Sequence, residues 1–221
     1  MMRISARVNT DDGRFLLIGS ACIRAEIRVI RVPALSNSTH RGPRLDPADT
    51  IKLRATAVRL LVLDVDGVLT DGRIVYTDAG DEQKRFHVRD GSGLKVWQSL
   101  GLKVAVISGR TSKAVERRAA ELGLAPVLLG RDAKRPALDE VLAWHQVTAE
   151  QTCAIGDDLP DLPVLRRCGV AVAVADACAE VRAAADYTTH AKGGAGAVRE
   201  AVEWLLTLRG EWAGVVERYQ G

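Results

Sequence analysis

From Arg59 onward the chain alternates short apolar runs with stretches of helical period, and that alternation leaves few folds open. Leu60–Asp64, Val104–Ile107, Pro126–Leu129, Thr152–Ile155 and Val170–Val174 are short and mostly apolar, as strands covered on both faces are. Between them, apolar residues recur at helical spacing: Val115, Ala119 and Leu122; then Leu138, Val141, Leu142 and His145; then Val198, Ala201, Val202, Leu205 and Leu208. Pro136 suits the first turn of the second helix and Gly123 the end of the first. Strands alternating with helices in this way predict an α/β fold, a parallel sheet with helices on both faces.

Two stretches stand outside the alternation. Arg73–Val88 carries two β-prone segments, Ile74-Val75-Tyr76 and Arg85-Phe86-His87-Val88, around Asp78-Ala79-Gly80, which predicts a β-hairpin projecting from the sheet. Residues 1–50 form an N-terminal extension: Phe15–Ile18 is a short strand candidate, Ile23–Val32 partly alternates, and Pro33–Asp49 has linker composition. Its apolar run is too short and too interrupted by Arg for a signal peptide. An organelle leader and an over-long start both stay open, and deleting Met1–Asp49 is expected to leave activity and melting temperature nearly unchanged. The domain itself is expected over 51–210, followed by a tail over 211–221.

Charge excludes one class of partner. The extension holds 8 Arg against 5 Asp or Glu, which accounts for the whole net charge of +3, so the folded domain is neutral and aromatics are only 4%. A nucleic-acid face normally needs a basic stripe with interleaved aromatics. No apolar run is long enough to span a membrane. Cys22, Cys153, Cys168 and Cys178 form no CxxC pair and no dense framework, which predicts reduced, buried thiols and points to the cytoplasm.

In an open parallel sheet, ligands bind outside the carboxyl ends of the strands. Here those ends are acidic. The first strand runs into Asp64-Val65-Asp66-Gly67-Val68-Leu69-Thr70-Asp71-Gly72, and the fourth into Gly156-Asp157-Asp158-Leu159-Pro160-Asp161. Either alone is readable as a solvated turn. Together they bring carboxylates to one place, where they would repel one another unless a hard cation such as Mg²⁺ sat among them. Ser108-Gly109-Arg110 follows the second strand and precedes a helix, a setting in which hydroxyl and backbone N–H groups bind anions. Lys134 follows the third strand; singly, such a Ser or Lys would be a cap or a surface charge.

The ordered set Asp64–Gly72, Ile107-Ser108-Gly109-Arg110, Lys134 and Gly156–Asp161 resembles the four motifs of haloacid dehalogenase phosphatases over about Arg59–Leu208. The resemblance implies a three-layer Rossmann-like sheet, with Asp64 as nucleophile and Asp66 as general acid and base. It implies that Ser108 and Lys134 hold the phosphoryl oxygens, and that Mg²⁺ binds to Asp64, the Asp66 carbonyl and Asp157. Asp158 would orient the ion or its waters, and Asp161 would stand behind the ligands. Neither place where this superfamily inserts a cap domain has room for one.

Within that superfamily, Phe86-His87-Val88-Arg89-Asp90-Gly91, Val172–Ala177 and Thr189–Glu200 are similar to the family of 3-deoxy-D-manno-octulosonate 8-phosphate (KDO 8-phosphate) phosphatases. Those enzymes serve lipopolysaccharide synthesis and are tetrameric, so the resemblance implies a phosphorylated sugar acid as substrate and a homotetramer. Ser92, where an aromatic is common, and Lys192, just before Gly193-Gly194, depart from the pattern and bear on the substrate. Arg85, Arg89, Gly109, Arg110 and Lys192 are candidates for substrate contacts. Two alternatives remain: a phosphatase of nine-carbon 2-keto-3-deoxy sugar acid phosphates, and a non-catalytic binding or oligomerisation module of the same fold. The missing cap further suggests that a neighbouring subunit completes the site, through the hairpin, a mobile Gly193–Gly196 loop and the tail after Leu208.

Overall fold

The structure, a computed structural model, describes residues 46–220 and the backbone of two short strands before them. The chain divides into two units, Met1–Pro43 and Arg44–Gly221. In the first, β1 (Arg7–Val8) pairs antiparallel with β2 (Phe15–Leu16). The expectations for Leu17-Ile18, Ile23–Val32, Cys22 and most of the linker lie outside the described residues.

The second unit opens with α1 (Pro47–Ala57), which takes in residues 47–49 of the stretch read as linker. Asp46 explains the start: its carboxylate accepts from the Ala48 N–H at 3.0 Å, and Pro47 occupies the first helical position. Arg54 ties the helix down through Asp186 at 2.7 Å and the Gly169 carbonyl at 2.6 Å. A protein that begins at Thr50 therefore loses the cap that one beginning at Arg44 keeps. The shorter protein is expected to be less stable than the longer by at least about 1 kcal/mol, as read by chemical denaturation; equal stabilities would show that the cap contributes nothing.

Six parallel strands follow: β3 (Leu60–Leu63), β6 (Lys103–Ile107), β7 (Val127–Leu128), β8 (Thr152–Gly156), β9 (Val170–Ala173) and β10 (Tyr187–Thr188). Their order is β10-β9-β8-β3-β6-β7. The first of them in sequence thus lies at the centre, with later strands added on both sides, and this switch point is where such sheets form their crevice. All four residues of β3 are buried. The covering helices are α2 (Val88–Ser99), α3 (Lys113–Leu122), α4 (Lys134–His145), α5 (Leu162–Leu165), α6 (Ala179–Ala184), α7 (Ala197–Leu208) and α8 (Trp212–Glu217). Cys153 and Cys168 are buried free thiols, while Cys178, expected to be buried, is free and only half-buried. No helix among the described residues is long and apolar enough to cross a membrane.

Three expectations need correction. The hairpin pairs β4 (Val75–Tyr76) with β5 (Glu82–Gln83), not with Arg85–Val88. The tight turn decides this: Thr77 N–H donates to the Asp81 carbonyl at 2.9 Å, so Tyr76 faces Glu82, and Val88 is already the first residue of α2. Phe86, expected in the second hairpin strand, packs against the core instead. The tail beyond Leu208 contains α8, whose Val215 is 2% exposed and whose Trp212 ring lies 5.2 Å beneath the Arg199 guanidinium on α7. Among the described residues no cap domain is present: the hairpin alone fills the space before α2, and α3 and β7 fill that between β6 and α4.

Candidate active site

Asp64 stands one residue past β3, its N–H donating to the Ile155 carbonyl on β8 at 3.2 Å. Lys134, the first residue of α4, reaches it from the other side, with Nζ 2.8 Å from Asp64 Oδ1 and 2.6 Å from Asp161 Oδ1. Asp161 spends its second oxygen on the N–H groups of Asp157 and Asp158, at 3.0 and 3.3 Å. It thus braces the loop after β8 against Lys134. Asp64, Asp157 and Asp161 each present an oxygen within 4.8 Å of the others.

The charge is unbalanced: three carboxylates face one ammonium. Burial, then the charge of Asp161, lifts the Asp64 carboxyl to about 6 even though Lys134 pulls it down. Burial, then Asp64 and Asp161, pushes Asp157 to about 8. Burial works against the Lys134 ammonium, but Asp64 and Asp161 outweigh it and hold its pKa above the usual value. Among the described residues, Asp157 Oδ1 is buried without a hydrogen-bond partner. A hard divalent cation fits this donor set, supplying the missing positive charge and a partner for that oxygen.

Glycines allow the loops to close on the site. Gly67, at φ 92°, leaves space that a Cβ would take from the Asp157 carboxylate. Gly193 is buried against the Gly67 carbonyl, where a Cβ would overlap the backbone, and its N–H donates to Asp176 Oδ1 at 3.0 Å. The loop before α7, expected to be mobile, is instead packed onto the first acidic loop. Buried Asp90 secures the same region by accepting from the N–H groups of Gly196 and Arg199, at 3.3 and 2.9 Å.

Ser108 is buried just past β6, the strand beside β3, and its hydroxyl accepts from the Arg110 N–H at 3.4 Å. Gly109 is half-buried, and Arg110 extends back to Asp66, with Nε 3.5 Å from Oδ2. Asp158 is exposed. Arg85, Arg89 and Lys192 are exposed and enter no ion pair of the acidic centre. Arg89 instead opens on a cleft with Arg199, Glu200 and Glu203. Sequence reasoning missed Lys84, whose side chain is 1% exposed and touches Asp66 Oδ1. The one signal for it was its place two residues from Glu82, on the same side of an extended strand.

Comparison with known proteins identifies the family. The model of the haloacid dehalogenase-like hydrolases matches residues 130–201. The 3-deoxy-D-manno-octulosonate 8-phosphate phosphatase KdsC of Yersinia pestis is 43% identical over 181 residues, covering 81% of this chain and 97% of that protein. The chain belongs to this phosphatase family. Among solved structures of the family, that from Moraxella catarrhalis, in complex with magnesium, phosphate and KDO, superposes with a TM-score of 0.75 at 38% identity, covering 77% of this chain and 98% of the other. The cobalt-bound Haemophilus influenzae phosphatase superposes with a TM-score of 0.70 at 42% identity, covering 72% and 94%. In this chain the motifs fall at the ends of the central strands, and the fold brings Asp64, Lys134, Asp157 and Asp161 together.

Proposed function

We propose that the chain is a Mg²⁺-dependent phosphomonoesterase that hydrolyses KDO 8-phosphate to KDO and inorganic phosphate, a step of lipopolysaccharide synthesis, in the cytoplasm. The observation that carries it is the buried Lys134 ammonium, 2.8 Å from Asp64 Oδ1, beside an Asp157 oxygen without a partner. The Moraxella relative's magnesium, phosphate and KDO support the choice of ligands.

Asp64, the Asp66 carbonyl and Asp157 would hold the cation, which neutralises charge on the phosphoryl oxygens when bound. Lys134 adds a second positive charge there, and Ser108 a hydrogen bond. With the repulsion between carboxylate and phosphate lowered, an Asp64 oxygen bonds to phosphorus as the ester bond breaks, and Asp66 gives its proton to the departing alkoxide. Asp66 then takes a proton from water, whose oxygen attacks phosphorus and frees Asp64. Asp161 keeps Lys134 and the loop after β8 in place, and Asp158 would orient the cation or its waters. Arg110, with Gly109 beside it, is nearest of the substrate candidates to the reacting groups; Arg85, Arg89 and Lys192 would act only at the rim.

Steady-state kinetics on eight- and nine-carbon 2-keto-3-deoxy sugar acid phosphates tests the substrate. KDO 8-phosphate is expected to have a kcat/KM at least about tenfold above the nine-carbon esters, the scale on which one substrate group changes transition-state binding. The reverse order would move the chain to the nine-carbon alternative, and no turnover at all would leave the non-catalytic module.

A homotetramer completes the proposal. Ile74, Val75 and Tyr76 on the hairpin and Val88 beside it are exposed by 50%, 43%, 63% and 79%, an apolar surface on a two-stranded ribbon that is marginal alone. Phe86 belongs to the core, so the discriminating change is Ile74→Asp with Tyr76→Asp. Light scattering is expected to find the wild type tetrameric and the double variant dissociated, with activity lowered alongside. A tetramer undisturbed by both changes would remove the hairpin from the interface.

A further inference from the structure

We propose that Lys84 is a positioning residue for proton transfer, fixing one oxygen of Asp66 so that the other exchanges the proton; the inference rests on the phosphatase reading above. The Lys84 side chain is 1% exposed, although it comes from the base of a hairpin most of whose residues face solvent. A lysine is buried to that degree only where its charge is matched, and Lys84 has two carboxylates: Asp66, which it touches at Oδ1, and Glu82, 3.6 Å away. Thr70 Oγ1 lies 3.5 Å from the same Asp66 oxygen.

The two oxygens of Asp66 are therefore unequal. Oδ1 is anchored by a buried ammonium. Among the described residues Oδ2 has only Arg110 Nε at 3.5 Å, and the Arg110 guanidinium is drawn towards Glu82 Oε1 at 2.7 Å. Glu82 thus steers both cations, leaving Oδ2 as the oxygen free for proton exchange. The carboxyl must come within about 2.6–3.2 Å of the proton's partner to act as acid or base. A side chain on a turn would need an anchor to stay there.

Lys84 changes no bond in this scheme. As the Asp64–phosphorus bond forms, the electron pair of the breaking ester bond goes to the alkoxide oxygen, which takes the proton from Asp66 Oδ2. In the second half water gives a proton back to that oxygen, its own oxygen bonds to phosphorus, and the Asp64–phosphorus bond opens. Lys84 acts through orientation alone.

The test compares leaving groups. For p-nitrophenyl phosphate the leaving phenolate departs without a proton, whereas a primary-alcohol sugar phosphate needs one. kcat/KM for each ester reports the steps up to departure of that group. Lys84→Met is expected to lower kcat/KM about 100-fold on the sugar phosphate and less than about fivefold on the aryl ester, while Lys84→Arg recovers most of the loss. In an Asp66→Asn background, adding Lys84→Met should cost less than about threefold, because the group it positions is already gone. Circular dichroism checks the fold, and Lys84→Gln takes the place of Lys84→Met if the latter does not fold. Equal losses on both esters, or a full additional loss in the Asp66→Asn background, overturn the inference. Absence of wild-type turnover on either ester overturns the phosphatase reading itself, and the inference with it.

Discussion

Asp64→Asn is expected to lower kcat by at least about a thousandfold while leaving the protein folded, since loss of a covalent nucleophile removes the whole two-step route. The amide has nearly the shape of the carboxylate but cannot form the acyl phosphate. The structure also predicts the accompanying thermal behaviour. Asp64 shares its pocket with Asp157 and Asp161, and burial with Asp161 has already raised its carboxyl to about 6. Removing that charge relieves repulsion, and Lys134 keeps its 2.6 Å partner in Asp161. The melting temperature in the absence of metal should therefore hold or rise. A folded variant within tenfold of wild-type kcat would end the covalent mechanism.

Chelation by EDTA is expected to bring turnover to background, with Mg²⁺ restoring it. The same addition should raise the melting temperature, because a cation that binds only the folded protein stabilises it by about 2.7 kcal/mol at a hundred times its Kd. The effect has a definite pH dependence. In the cation-free protein Asp157 sits at about 8 and Asp64 at about 6, so protons occupy the same oxygens that the cation needs. Cation binding must release them, and Mg²⁺ affinity should weaken as pH falls from about 8 to about 6. Asp157→Asn should remove both the Mg²⁺-induced stabilisation and the upper part of that dependence. Full activity in EDTA, with no metal found in the protein, would exclude the cation.

The central strands were legible because each is buried on both faces and so is written as a continuous apolar run. Tyr187–Thr188 was not: two residues leave no period, and what fixes them is the stacking of Tyr187 on Trp204, with ring centroids 4.4 Å apart. The helix before β3 was hidden because its only buried residue is Ala55, which gives no apolar stripe. The acidic centre could be read because parallel topology brings strand ends together whatever the details. Lys84 could not, since the hairpin register decides which way it points, and β-propensity placed the second hairpin strand several residues too late. Gly193 could be counted but not located, as its neighbour Gly67 lies in another loop entirely.

That last contact has a consequence for synthesis. The central strand β3 is made before any of the strands that flank it, and Gly193 follows Asp64 by 129 residues. At about 5–20 residues per second, translation takes about 6–26 s to cover that distance. Until β8 is made the nascent chain carries an apolar strand with an open edge, and through the whole interval its first acidic loop lacks the backbone that will cover it. A chain cut short before Gly193 therefore holds both partners of β3 and still leaves its first acidic loop without the backbone that packs on it.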